Sequence, residues 1–137
     1  VGSEMCIRDS PEAERLLSGK GDLTPQEQGK ALLALGPAAI LMKGGHADGA
    51  VCHDYLVTES QIIGFNAPRI DTGNTHGTGC TLSTAIASFF SCGKSLKKSC
   101  ELGIKYVNSA IFTNPKIGKG HGPINHLNSI RLKKKFK

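Results

Sequence analysis

The chain has 137 residues, 39% of them hydrophobic and 20% charged, which suits one domain with a modest core, and no apolar run approaches the roughly 20 residues of a membrane span. Its net charge of +6 is concentrated at the carboxyl end, where Arg131, Lys133, Lys134, Lys135 and Lys137 lie close together; the body carries no basic stripe, and the run reads as a solvated, frayed terminus rather than a phosphate-binding tail. Cys6, Cys52, Cys80, Cys92 and Cys100 are odd in number and too dispersed for a disulfide framework or a CxxC zinc knuckle, so reduced thiols in a cytoplasm are expected.

The first ten residues, VGSEMCIRDS, have neither an initiating Met nor the apolar stretch of a signal peptide. They resemble a translated sequencing adapter, and on that basis Val1 to Ser10 is a non-native leader outside the fold, with native sequence from about Pro11. PEAERLLSG then reads as a short helix with Pro11 in its first turn and Gly19 at its end. LTPQEQGKALLALG predicts a second helix over Pro25 to Leu35, with Thr24 as N-cap, Glu27 completing a capping box, and Gly36 as terminator. AAILMK, ending at GGH, is an unbroken apolar run that suits a strand buried on both faces of a mainly parallel sheet.

AVCHDYLV and SQIIGFNAPRI, split by TES, predict a hairpin whose close is confined to an edge by Pro68. Leu82, Ala85, Ile86, Phe89 and Phe90 form a helical stripe ended by Cys92-Gly93. A further helix starts at Ser95, its period carried by Leu96, Cys100, Ile104, Val107 and Ile111 as far as Asn114-Pro115. Cys92 and Cys100 fall on core positions and are expected to be structural. KIGKGHGPINH is a glycine-rich loop closed by Asn125 and His126.

Between the hairpin and the first long helix lies RIDTGNTHGTGC. A glycine turn feeding a helix leaves the first backbone N–H groups unpaired and aimed outward with the positive end of the helix dipole, which makes an anion site. Gly77 and Gly79 remove the Cβ atoms that would hold a phosphate at a distance, and the hydroxyls of Thr75 and Thr78 are further donors. The turn is neither a Walker A loop nor a dinucleotide GxGxxG. Glycine turns before helices are common, so GTGC alone is a weak signal and an ordinary turn remains the alternative.

Three motifs in order, KGGH at 43–46, NTHGTGCTLSTAIA at 74–87 and GKGHGPINH at 118–126, resemble the hydroxymethylpyrimidine and phosphomethylpyrimidine kinases of thiamine synthesis, from Pro11 to about Leu127. The resemblance implies a ribokinase-like three-layer α/β/α fold, with residues 11–128 a carboxyl-terminal fragment carrying part of the central sheet and 129–137 a basic tail. It implies a kinase using ATP and Mg²⁺ on hydroxymethylpyrimidine or its phosphate. The amides of Gly77, Thr78, Gly79 and Cys80 would form the anion hole and Cys80 would be the catalytic base, where sugar kinases of the superfamily carry Asp. Lys43 matches a nucleotide-phosphate contact, with Thr75, Gly77 and Gly79 beside it in the ATP site. Glu12 matches the glutamate of an NxxE element near magnesium, although the family's Asn falls here at Asp9. A helix N-terminus favours thiolate, the proton acceptor that an attacking CH₂OH group needs.

The family's full chain is about twice as long, so the fragment is expected to be inactive by itself; the full-length enzyme is expected to be a cytoplasmic homodimer acting on a small-molecule pyrimidine, without nucleic-acid or membrane partners. Three other readings stand beside this one. A pyridoxal-type kinase is the alternative within the fold. His76 and Cys80 suggest a thiol–imidazole nucleophile pair, and the basic tail suggests a non-enzymatic module for acidic partners. A zinc set built from His46, His76, His121 and His126 is disfavoured because they occupy three separate loops without ligand spacing.

Overall fold

The computed structural model describes residues 5–19, 23–44, 49–115 and 120–129. Its centre is β2 (Ala39–Lys43), in which Ala39, Ile40, Leu41 and Met42 are all buried. A strand so enclosed needs a neighbour on each edge and a helix layer on each face. β1 (Met5–Asp9) pairs with it in parallel, from Met5 opposite Ala39 to Asp9 opposite Lys43. On its other edge β3 (Val51–Thr58) runs antiparallel, and β4 (Ile62–Pro68) continues the sheet in the order β1-β2-β3-β4.

Side chains alternate across a strand, so β2 feeds two cores. Ile40 and Met42 join Val57, Ala13 and Leu32 beneath α1 (Ser10–Leu16) and α2 (Pro25–Leu33). Ala39 and Leu41 join Leu56, Leu82, Ile86, Cys100, Ile104 and Val107 beneath α3 (Thr78–Ser91) and α4 (Leu96–Phe112). Helices on both faces of one sheet make the three-layer α/β/α arrangement expected from the sequence. Among the described residues no helix is long and apolar enough to cross a membrane.

Several expectations change. Within the segment read as a leader, residues 5–10 belong to the fold: Met5–Asp9 is a strand in register with β2, and the Asp9 carboxylate caps α1 by accepting the Glu12 N–H at 2.9 Å. Five residues with two charges carry little strand signal of their own, and main-chain pairing to a buried neighbour supplies what their side chains do not. The sheet is mixed rather than mainly parallel, because only the β1–β2 pair is parallel; an unbroken apolar run reports burial on both faces, and here antiparallel neighbours supply it. Cys92 is exposed at the C-cap of α3, so only Cys100 of the two helix cysteines is a core residue. Phe90, placed on the core stripe, is 49% exposed.

The capping box at α2 forms as read, with Glu27 Oε2 accepting the Thr24 N–H at 2.8 Å, and the helix stops at Leu33, two residues short of the expected end. β3 and β4 form the expected hairpin, and Pro68 lies on the edge strand, where its missing N–H breaks no ladder. Ser95 is the N-cap of α4. The basic run 131–137 lies outside the described residues.

Candidate active site

α3 starts from an uncapped turn. Its N-cap is Gly77, at φ +84° and without a side-chain cap, a backbone that glycine adopts without strain. The Gly77 carbonyl accepts the Thr81 N–H at 2.9 Å and the Thr81 hydroxyl at 2.7 Å, which closes the first helical ring. The Thr78 N–H folds back on the Thr75 carbonyl at 3.3 Å. The amides of Gly79 and Cys80 are left facing outward at the positive end of a 14-residue helix, with the Cys80 side chain exposed beside them. A Cβ built on Gly79 meets nothing within 4 Å, so the protein's own packing does not require glycine there.

The turn is held from behind by the third glycine-rich motif. Asn74 Oδ1 accepts the Gly122 N–H at 2.8 Å, and His121 Nδ1 is 3.1 Å from the Gly73 carbonyl. His76 pairs with Pro123 in an isolated parallel bridge, and Asn114 Nδ2 donates to the Thr72 hydroxyl at 3.1 Å. Loop 120–125 is thereby sewn to loop 72–76, and Ile124, 2% exposed, anchors the seam in the interior.

Opposite the α3 turn, the carboxyl end of β2 presents Lys43. Asp9, Glu12, Lys43, Gly79 and Cys80 all line one groove of about 930 Å³. A second cavity, of about 230 Å³, shares Asp9, Lys43 and Thr78 with it, adds Asp54 and Thr75, and has an apolar wall that includes Leu82, Ile104, Val107 and Ile111. The sheet end, the helix N-terminus and a largely apolar recess therefore form one continuous site. Glu12 has a structural role within it: its Oε2 accepts the Asp9 N–H at 3.4 Å, completing the capping box of α1.

Asp54, not singled out from the sequence, sits at this junction. Its Oδ1 accepts the Gly44 N–H at 2.8 Å. Burial pushes its carboxyl above the usual carboxylate range, and the Gly44 N–H, Lys43 and His53 pull partly the other way. Its signal was a lone acid within the apolar run AVCHDYLV, interpretable only once the strand register is known. Burial, and secondarily the Asp54 charge, push the Cys100 thiol up to about 12, which leaves it neutral and inert.

A family model described as phosphomethylpyrimidine kinase matches residues 3–125. The chain belongs to that family. The hydroxymethylpyrimidine/phosphomethylpyrimidine kinases of Salmonella typhimurium and Escherichia coli are 41% and 40% identical to it over 124 residues, each match covering 87% of this chain and 47% of the relative. The thiamine biosynthesis bifunctional protein of Geobacter sulfurreducens is 37% identical over 119 residues, 85% of this chain and 24% of that protein. Among solved structures, Staphylococcus aureus pyridoxal kinase in complex with AMP-PCP superposes with a TM-score of 0.84 at 25% identity, over 93% of this chain and 48% of that one. The ADP complex of Bacillus subtilis pyridoxal kinase gives 0.83 at 24%, over 90% and 50%. The chain thus spans about half the length of the kinases it matches.

Of the residues that the family's motifs pick out, Lys43, Glu12, Thr78, Gly79 and Cys80 come together on shared cavity walls, and Thr75 joins Lys43 and Thr78 in the recess. His46, with its neighbours in 45–48, and Gly118 with Lys119 of the third motif lie outside the described residues. His76 and His121 serve the seam between loops, and His126 accepts the Tyr106 hydroxyl at its main-chain carbonyl at 2.9 Å. Among the described residues no group of three His, Cys, Asp or Glu side chains is arranged to hold a metal.

Proposed function

We propose that this chain carries the phosphoryl-transfer machinery of an ATP-dependent kinase acting on hydroxymethylpyrimidine or its phosphate, and that it corresponds, from the strand Met5–Asp9 onward, to the carboxyl-terminal half of a ribokinase-like domain. The observation that carries the reading is the groove lined by Lys43 together with Gly79 and Cys80 in the first turn of α3. Phosphoryl transfer asks a protein mainly for positioning and for charge stabilisation of the equatorial oxygens, and an ammonium opposite a helix N-terminus supplies both. The recess next to it, walled by Leu82, Ile104, Val107 and Ile111, suits a nucleoside base, with the phosphates directed toward Lys43 and Thr78.

Cys80, exposed on the groove wall at the head of α3, would take the proton of an attacking CH₂OH group as the oxygen closes on phosphorus. Magnesium bound to a nucleotide draws most of its ligands from phosphates and water and needs only one or two carboxylates. Glu12 and Asp9, adjacent on the groove wall, fit that requirement and would hold the ion, which supplies neutralisation of phosphate charge.

Cys80→Ala in a full-length protein containing this segment tests the assignment. General-base catalysis contributes about 10² to 10⁴-fold, so kcat for hydroxymethylpyrimidine phosphorylation should fall by that order while AMP-PCP affinity holds, since the backbone amide is kept. Unchanged kcat would remove the base role. A second reading, pyridoxal as the acceptor, is favoured by the pyridoxal kinases among the structural neighbours, and comparing kcat/KM for the two alcohols decides between them.

A further inference from the structure

We propose that Asp54 is a positioning residue, holding Lys43 and Gly44 in the geometry that receives phosphate; this builds on the reading of Lys43 as a phosphate contact. Met42 lies opposite Tyr55 in the β2–β3 ladder, so the next positions along, Lys43 and Asp54, face each other across the two strands and point to the same side of the sheet. Both line the recess under α4. The carboxylate takes the Gly44 N–H at 2.8 Å and thereby fixes the peptide plane that leaves Lys43. Gly44 itself lies flat on β3, because a Cβ built there would overlap the His53 carbonyl.

On the other edge Asp9 is paired in register with Lys43, so a carboxylate residue flanks the lysine on each neighbouring strand. The two acids differ in their tasks. Asp9 caps α1 through the Glu12 N–H, whereas Asp54 tethers Gly44 at the end of β2. A carboxylate withdrawn from water attracts an adjacent ammonium more strongly than an exposed one does, and its cost of burial is offset only by groups that face it. Those groups are the Gly44 N–H, Lys43 on β2 and His53 on β3, while Cys100 on α4 is neutral and Cys52 shares the cavity wall. With Asp54 removed, the lysine loses a facing charge and Gly44 loses its tether, so the ammonium no longer waits at one place for the nucleotide phosphates.

The test compares Asp54→Asn and Asp54→Ala with the wild-type 137-residue chain. Calorimetry measures AMP-PCP and adenosine, and amide hydrogen exchange follows Gly44. Asparagine keeps an acceptor for the Gly44 N–H and loses the charge; alanine loses both. Asp54→Ala is expected to weaken AMP-PCP about tenfold, the size of one charge-assisted hydrogen bond, to leave adenosine unchanged and to speed exchange at Gly44. Asp54→Asn should keep Gly44 protected and weaken AMP-PCP by a smaller factor, again sparing adenosine. Equal losses for AMP-PCP and adenosine would mean general damage to the recess and overturn the proposal, as would AMP-PCP affinity unchanged in both variants. A wild-type chain that binds AMP-PCP no better than adenosine would instead remove the phosphate-site reading on which the proposal stands.

Discussion

At Gly77 the backbone has φ +84°, a conformation that costs other residues about 1–2 kcal/mol, whereas Gly79 lies within α3 with open space where a Cβ would go. One glycine is required by the backbone, and the other has no such requirement from the protein's own packing. Gly77→Ala should therefore lower stability by about 1 kcal/mol or more, and Gly79→Ala should be neutral or stabilising by up to about 1 kcal/mol, as alanine generally is in a helix. Measured by urea denaturation and AMP-PCP titration, Gly79→Ala should separate the two properties, with a sound fold and weakened nucleotide binding. Loss of fold in this variant would place the need for glycine inside the protein. Asp54 makes a second separation. Its folded carboxyl binds a proton more tightly than the unfolded one because burial dominates, so its contribution to stability is complete below the ordinary carboxylate range and is lost as pH rises through the raised value. Asp54→Asn should gain stability relative to wild type across that window in a pH series of denaturation curves; a constant difference would contradict the burial argument.

At the scale of the elements, the α3–α4 contact leaves little room for added volume. Gly103 on α4 is buried, and a Cβ there would come within 2.7 Å of Ile86 Cγ1 on α3. Gly103→Ala should cost about 1–3 kcal/mol through overpacking, in spite of alanine's better helix propensity, and the loss should show as a lowered Tm; an unchanged Tm would mean that Ile86 has room to turn aside. The elements that could be read directly from sequence carry their signals within themselves. Thr24, Pro25 and Glu27 announce the start of α2, the three-residue gap between two β-rich runs announces a hairpin, and Ser95 caps α4. β1 has no such signal, because Met5–Asp9 becomes a strand through its pairing with a segment more than 30 residues away. The direction of β2's neighbours was hidden for the same reason, since burial on two faces leaves the same apolar run whether the flanking strands are parallel or antiparallel. Cys92 shows the limit of periodicity at a helix end, where the chain leaves the core and the expected face turns to solvent.

At the scale of the molecule, the pieces of the site legible in the sequence were those carried by a single segment: the glycine turn, the thiol at the head of α3 and the lysine before its glycines. What joins them was hidden. The pairing of Asp54 with the Gly44 N–H depends on strand register, and the seam from Asn74 to Gly122 crosses 48 residues of chain. That register has a further consequence for the lengths the chain can tolerate. Lys43 points toward α3 because it lies an even number of residues from Leu41 and Ala39, which face the same core. Inserting one residue between Ile40 and Met42 would turn the lysine toward α1 and α2 and exchange the apolar contacts of the residues beyond the insertion. Inserting two would restore the faces but carry Lys43 about 7 Å further along the strand. Insertion scanning should therefore find the β3–β4 turn at Glu59 and Ser60 permissive by comparison and β2 closed to both changes, so a single codon gained within the strand would abolish nucleotide binding even where every side chain of the site is still encoded.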